Sequence, residues 1–129
     1  MILLDTNALI WMVADPKRLS KAAHGAIREA RQSGELGVAT ITLWELAVLA
    51  ERGRIQVSGS VESFVRETVS RVALRPITPE IAALAARLPA NFPRDPADRL
   101  IGATAIVEGI PLVTADERIR AAKVVDTIW

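Results

Sequence analysis

Asp5, Glu45, Asp98 and Asp116 lie far apart in a chain of 129 residues, yet each sits where a short apolar run ends or a helical pattern begins. Side chains at such positions can meet at one edge of a parallel sheet, and four carboxylates that meet become a cation site. Two carboxylates about 5 Å apart repel by roughly 3 kcal/mol at an effective dielectric near 20, so a shared pocket must either take up protons or bind a metal. An oxygen-only ligand set suits Mg2+ or Mn2+, which retain waters and accept phosphate oxygens as further ligands. The chemistry this suggests is metal-dependent hydrolysis of a phosphate ester, with a nuclease as the leading reading. Zinc is disfavoured: the one histidine, His24, falls inside a helical pattern beside Ala22, Ala23 and Gly25, and there is no cysteine to complete a site. Each acid also has an ordinary explanation as a helix cap or a first-turn charge. The case rests on all four occurring together.

Positioning such residues requires strands that alternate with helices, and the chain reads that way. Ile2 to Leu4 is a strand ending at Asp5-Thr6-Asn7, with a helix following to Ala14. Ser20 reads as the N-cap of a helix through Ser33, closed by Gly34. Leu36 to Ile41 is expected as the next strand, with Thr42 capping a helix and Glu45 at the capping-box position three residues on. An amphipathic stretch covers Val61 to Val72, and a strand is expected from Ala73 to Ile77. Thr78-Pro79 opens a helix, and Asp95-Pro96-Ala97-Asp98 opens another that ends at Gly109. Pro111 to Thr114 is a strand, Asp116 starts a short helix, and Lys123 to Val125 is expected as the last strand. The fold class is therefore α/β, with a central parallel sheet of about four or five strands flanked by helices. In such sheets functional groups collect beyond the carboxyl ends of the strands, where all four acids fall.

With 50% hydrophobic and 24% charged residues, the chain suits one compact domain over residues 1–129. Sixteen basic residues against fifteen acidic ones give a net charge of +1, so any surface for a polyanion must be local. The absence of cysteine excludes disulfide and thiolate chemistry and suits a cytoplasmic protein. No apolar run approaches the roughly 20 residues of a membrane span, and no targeting signal is read.

Four segments carry a resemblance to a known family: Met1-Ile2-Leu3-Leu4-Asp5-Thr6-Asn7, Thr42-Leu43-Trp44-Glu45-Leu46, the stretch from Arg94 to Ile101, and Leu112-Val113-Thr114-Ala115-Asp116. In order and spacing they resemble the signature blocks of PIN-domain proteins, most closely VapC-type toxins of bacterial toxin–antitoxin pairs. The resemblance implies a ribonuclease that cleaves RNA with Mg2+ or Mn2+ held by Asp5, Glu45, Asp98 and Asp116, of which Asp5 and Asp98 match the usual direct ligands. It further implies supporting roles for Asn7 and Thr114, a homodimer, and inhibition by a cognate antitoxin. Asp95 matches a common aspartate that is not a ligand and is assigned to capping. Ala97 departs from the family pattern, which commonly has a bulky aromatic there.

Arg94 and Arg99 flank Asp98 and are candidate RNA phosphate contacts, although pairing with acids or pointing into water is as good a reading. Three tryptophans, two phenylalanines and no tyrosine leave little for an aromatic platform, and Trp11 and Trp44 read as core or interface. Two alternatives remain open. A Mg-dependent phosphohydrolase is disfavoured because the second aspartate of a haloacid-dehalogenase-type motif is replaced by Asn7, and a catalytically silent binding module would have little reason to keep all four acids.

Overall fold

The computed structural model describes residues 1–129. Five short strands form one sheet in the order β3-β2-β1-β4-β5, with every neighbouring pair parallel. The strands are β1 (Ile2–Leu4), β2 (Leu36–Ala39), β3 (Ala73–Arg75), β4 (Leu112–Val113) and β5 (Thr127–Ile128). Seven α-helices connect them: α1 (Thr6–Ala14), α2 (Lys21–Ser33), α3 (Ile41–Glu51), α4 (Val61–Thr68), α5 (Pro79–Arg87), α6 (Pro96–Glu108) and α7 (Glu117–Ala122). The α/β class, the parallel sheet and its strand number agree with the sequence reading.

Both faces of the sheet are covered, as parallel sheets require. Consecutive residues of β1 show how: Leu4 joins Leu9, Ile27, Val38, Leu46 and Val113 in one apolar layer, whereas Leu3 joins Phe92, Ile101, Leu112 and Ile119 in the other. Helices α1 to α4 thus supply one layer, and α6 and α7 most of the second. Trp11 packs at 5.7 Å from Trp129 with the Arg18 guanidinium 4.5 Å above it, which ties the end of the chain to α1.

Single residues set several boundaries. Ser20, Ser60, Thr78 and Asp95 each accept a backbone amide at the start of α2, α4, α5 and α6. Gly34 and Gly109 close α2 and α6 in the left-handed region, at φ 69° and 66°.

Three expectations need correction. β2 ends at Ala39, because Thr40 already has helical dihedrals (φ −62°, ψ −23°); Thr42 therefore lies inside α3 and caps nothing. β3 likewise stops at Arg75, short of Ile77. The last strand is not Lys123 to Val125: Lys123 closes α7 at φ 55°, Val125 drops into the second layer, and pairing with β4 begins at Thr127.

Candidate active site

The strand order reverses direction between β1 and β4, and the crevice outside the carboxyl ends at such a point is where open α/β sheets bind ligands. Asp5 leaves β1 there. Its carboxylate caps α1, accepting the Ala8 amide at 2.8 Å. Asp98 is the third residue of α6, and Glu45 lies in the second turn of α3. Asp5, Glu45 and Asp98 line a common cleft of about 300 Å3, together with Asn7.

Asp116 does not line this cleft. Its Oδ1 caps α7 through the amides of Arg118 (2.8 Å) and Ile119 (3.2 Å), with the Arg118 guanidinium 3.9 Å away. Its charge still reaches the site, since it opposes ionisation of both Asp5 and Asp98. Thr114 links the two strand ends: its hydroxyl oxygen accepts the Asp116 amide at 3.1 Å, and its side chain hydrogen-bonds toward Asp5.

Other residues stand in or beside the site to which the sequence reading gave no part in it. Asp95 caps α6 as expected, through the amides of Ala97 and Asp98, but it also lines the cleft as a further carboxylate. Thr6 is buried and donates its hydroxyl to Glu45 Oε1; having one hydrogen to give, it must accept from Thr42, whose Oγ1 lies 3.0 Å away. The structure thus uses Thr42 as the anchor of a hydroxyl chain that holds Glu45. Arg52 and Trp44 complete the α3 wall. Arg52 had one sequence signal, its place two helical turns after Glu45; Trp44, 62% exposed, is not the core residue that was one of its two expected roles.

Arg99 is employed elsewhere. Its guanidinium donates to the carbonyls of Ala85 (3.3 Å), Leu88 (2.9 Å) and Pro89 (3.3 Å), satisfying the end of α5. Arg94 is exposed, and neither arginine lines the cleft. His24 is exposed on α2, away from the acids.

Three acids resist ionisation. Burial, then the charges of Asp95, Asp116, Glu45 and Asp5, push the Asp98 pKa up to about 7. Burial also raises Asp5, against hydrogen bonds from Thr114 and Ala8 that favour its charged form. Glu45 is raised by burial and by Asp95 and Asp5, opposed by the Thr6 hydroxyl. The cleft is therefore a site of uncompensated negative field.

A divalent cation fits that field and the all-oxygen donor set. No three Asp, Glu, His or Cys side chains are drawn together tightly enough to hold an ion by themselves. Of the four expected acids, three line the cleft and Asp116 stands beside it.

A five-stranded parallel sheet covered by helices on both faces, with a carboxylate cleft at its strand reversal, defines an α/β domain whose candidate site is acidic. The chain belongs to the PIN-domain family, whose model matches residues 2–125. Ribonuclease VapC22 of Mycobacterium tuberculosis is 49% identical over 120 residues, covering 93% of this chain and 90% of that protein. Among solved structures, VapBC2 of Rickettsia felis bound to a promoter DNA fragment superposes with a TM-score of 0.73 at 16% identity, covering 98% of this chain and 97% of that one. DNA-bound VapBC of Salmonella typhimurium gives 0.71 at 20% identity, with coverage of 98% and 97%. These structural likenesses speak to the fold.

Proposed function

We propose that this chain is a metal-dependent endoribonuclease, the toxin of a toxin–antitoxin pair, with Asp5, Glu45, Asp98 and Asp116 as its acidic set. The observation that carries the reading is the cleft lined by Asp5, Glu45 and Asp98, each of which resists ionisation through burial first and neighbouring carboxylates second. The 49% identity to a ribonuclease supports RNA as the substrate. Asp5 and Asp98 would hold Mg2+ or Mn2+, which supplies Lewis-acid stabilisation of charge at the scissile phosphate. Glu45, steadied by the Thr42–Thr6 hydroxyl chain, keeps its second oxygen available to orient the attacking water and receive its proton. Asp116 and Thr114 set the field and the orientation of Asp5, and Asn7 offers a neutral polar group at the rim.

The partner proposed for regulation is a cognate antitoxin, supported by similarity to toxin chains solved in VapBC complexes. A homodimer is proposed on the family resemblance, with the helices over residues 7–14 and 43–50 as contributors; only monomer in equilibrium sedimentation at micromolar concentration would argue against it. The cytoplasm, where RNA is made and translated, is the proposed site of action. No helix is long and apolar enough to cross a membrane.

The deciding assay incubates purified protein with Mg2+ or Mn2+ and either structured RNA or a phosphomonoester. The expected result is RNA cleavage, abolished by EDTA and lowered more than about 100-fold by Asp98→Asn, a larger loss than the 10- to 100-fold typical of second-sphere changes at metal sites. Turnover of the phosphomonoester alone would overturn the reading.

A further inference from the structure

The segment from Pro16 to Gly34 holds five of the sixteen basic residues but one of the fifteen acidic ones, Glu29, so the rest of the chain is net negative. On α2, Lys21, His24, Arg28 and Arg31 are all exposed. At roughly 100° per residue they fall within an arc of about 80°, and Glu29 lies outside it. No carboxylate pairs with Lys21, Arg28 or Arg31. His24, Arg28 and Arg31 line a groove of about 180 Å3 whose apolar lining is Met12, Leu19 and Ile27. Arg18 is occupied elsewhere, over the Trp11 ring. The groove shares no residue with the acidic cleft. α2 packs on both β2 and β5, so it crosses the sheet, and it ends at the amino edge, where the Glu35 carbonyl accepts the Ile2 amide. α1 joins the two places: Asn7 lines the cleft, Met12 lines the groove, and the nine residues of the helix span about 13 Å.

We propose that the face of α2 bearing Lys21, Arg28 and Arg31 is a second RNA contact, which holds the phosphate backbone at one place while another part of the same molecule occupies the cleft. The inference rests on the nuclease reading above and adds an anchor outside the acidic site. RNA entering that cleft meets Asp5, Glu45, Asp95 and Asp98 and a single cation, Arg52, so the site repels the backbone it must hold. Attraction has to come from elsewhere, and a net charge of +1 cannot supply it from the molecule as a whole. The α2 face gathers cations with no acid among them. Lys21 and Arg31 lie about 15 Å apart along the helix axis, a reach of about four phosphates at the duplex rise per strand. The arginine stems can rest on the apolar lining of the groove while their planar forks meet phosphate oxygens. Such contacts position a nucleic acid and are blind to its sequence. An acidic protein segment would satisfy the same side chains, but only a polyanionic substrate makes a remote cationic face a requirement of the cleft.

The test titrates a labelled RNA of about twenty nucleotides against the full chain in EDTA at a series of salt concentrations. Arg28→Gln combined with Arg31→Gln should lower the slope of log affinity against log salt by about 1.4, at about 0.7 for each single-strand phosphate contact, and adding Lys21→Gln should bring the loss to about 2. A paired control, Arg87→Gln with Arg120→Gln, removes the same charge from exposed sites on α5 and α7 and should leave the slope unchanged. All these side chains are exposed, so the variants should melt close to the wild type. With an RNA that the wild type cleaves, the α2 variant should raise KM severalfold and keep the wild-type kcat. Equal slopes for the wild type and the α2 variant overturn the proposal. So does an equal loss in the control pair, which would make the effect one of net charge alone. An α2 variant that binds RNA as the wild type does but no longer holds a co-expressed antitoxin also overturns it, and makes the face a protein-docking surface. The binding arm is read without metal or turnover. RNA binding that depends on these cations in a protein that never cleaves would sink the nuclease reading and leave the anchor standing, whereas cleavage with an unchanged slope does the reverse.

Discussion

Oδ1 of Asp95 accepts the backbone amide of Asp98 at 3.2 Å, and the same carboxylate opposes ionisation of the Asp98 side chain. One residue thus fixes the first turn of α6 and tunes the acid that the turn presents. The two roles separate by substitution. Asparagine caps a helix as well as aspartate does, but carries no charge. Asp95→Asn should keep the cap, raise the melting temperature of the metal-free protein at neutral pH by relieving Asp98, and move the Asp98 pKa down from about 7, read as an acid shift in the pH–rate profile. Asp95→Ala should shift the profile the same way and also cost about 1 kcal/mol of stability.

Ionisation of Asp98 couples the fold to pH with a definite sign. Its folded pKa, about 7, lies above the ordinary aspartate value of 3.8, so between these limits the unfolded chain gives up a proton that the folded one keeps. Below pH 4 the group contributes nothing. As pH rises toward 7 it destabilises the metal-free protein progressively, and beyond 7 the penalty is constant. Asp5 and Glu45, both raised, act in the same direction. Thermal melts in EDTA should therefore show stability falling between pH 5 and pH 7. Millimolar Mn2+ should lessen or reverse that fall, since a ligating carboxylate must be deprotonated and apparent metal affinity weakens by up to about tenfold per pH unit below 7. Identical melts with and without Mn2+ at every pH would contradict the cation site.

Thr6→Val tests the hydroxyl chain with little change of shape. The valine removes the donor that favours charged Glu45 and leaves the Thr42 hydroxyl, fully buried, without its acceptor. A stability loss of about 1–3 kcal/mol is expected for stranding buried polar groups. Activity should fall about 10- to 100-fold, the usual cost of losing a second-sphere partner, with the Glu45 pKa rising further. Urea melts and a pH–rate profile give both quantities.

What the sequence shows and what it hides divide along a physical line. Ser20, Thr78 and Asp95-Pro96 announce their helices because a cap is a local hydrogen bond between residues three apart or fewer. Thr42 has the same signature, three residues before Glu45, but where β2 ends is set by pairing with β1 and β3, and that shifts α3 to begin at Ile41. Lys123 takes up a left-handed turn only because α7 must end before Val125 enters the core. In the cleft, the meeting of Asp5, Glu45 and Asp98 was legible from strand ends and helix starts. Asp95 was read as a cap, and its second role depends on α6 leaning over the cleft. Arg99 and Arg52 look equally available in the sequence, and only the packing of α5 against α6 shows that the first is engaged.

Arg99 makes a useful contrast for that reason. Its planar fork holds three carbonyls where α5 ends, and no lysine can match that geometry. Arg99→Ala should lower stability by about 1–3 kcal/mol, and Arg99→Lys should recover only part of it. Neither should alter the salt dependence of RNA binding, as a phosphate contact would. Denaturant melts alongside binding at two salt concentrations check this, and a lost salt slope would restore Arg99 to the RNA surface.

Two glycines within helices should respond in opposite directions to the same substitution. A Cβ on Gly102 in α6 would sit 2.6 Å from Cζ of Phe92, a ring only 1% exposed and closed in by the second apolar layer. Overpacking of this kind costs about 1–3 kcal/mol, and the better helix propensity of alanine returns only about 1 kcal/mol. Gly102→Ala should therefore be destabilising. Since Asp98 sits one turn earlier on the same helix, displacing α6 should also reduce cleavage more than it reduces RNA binding. Gly25 in α2 has no atom within 4 Å of its added Cβ. Gly25→Ala should raise stability by about 0.5–1 kcal/mol, as expected for an open helical glycine, and leave activity at the wild-type level. If both variants melt at the same temperature, the tight seat of α6 on Phe92 is not what holds Asp98 in place.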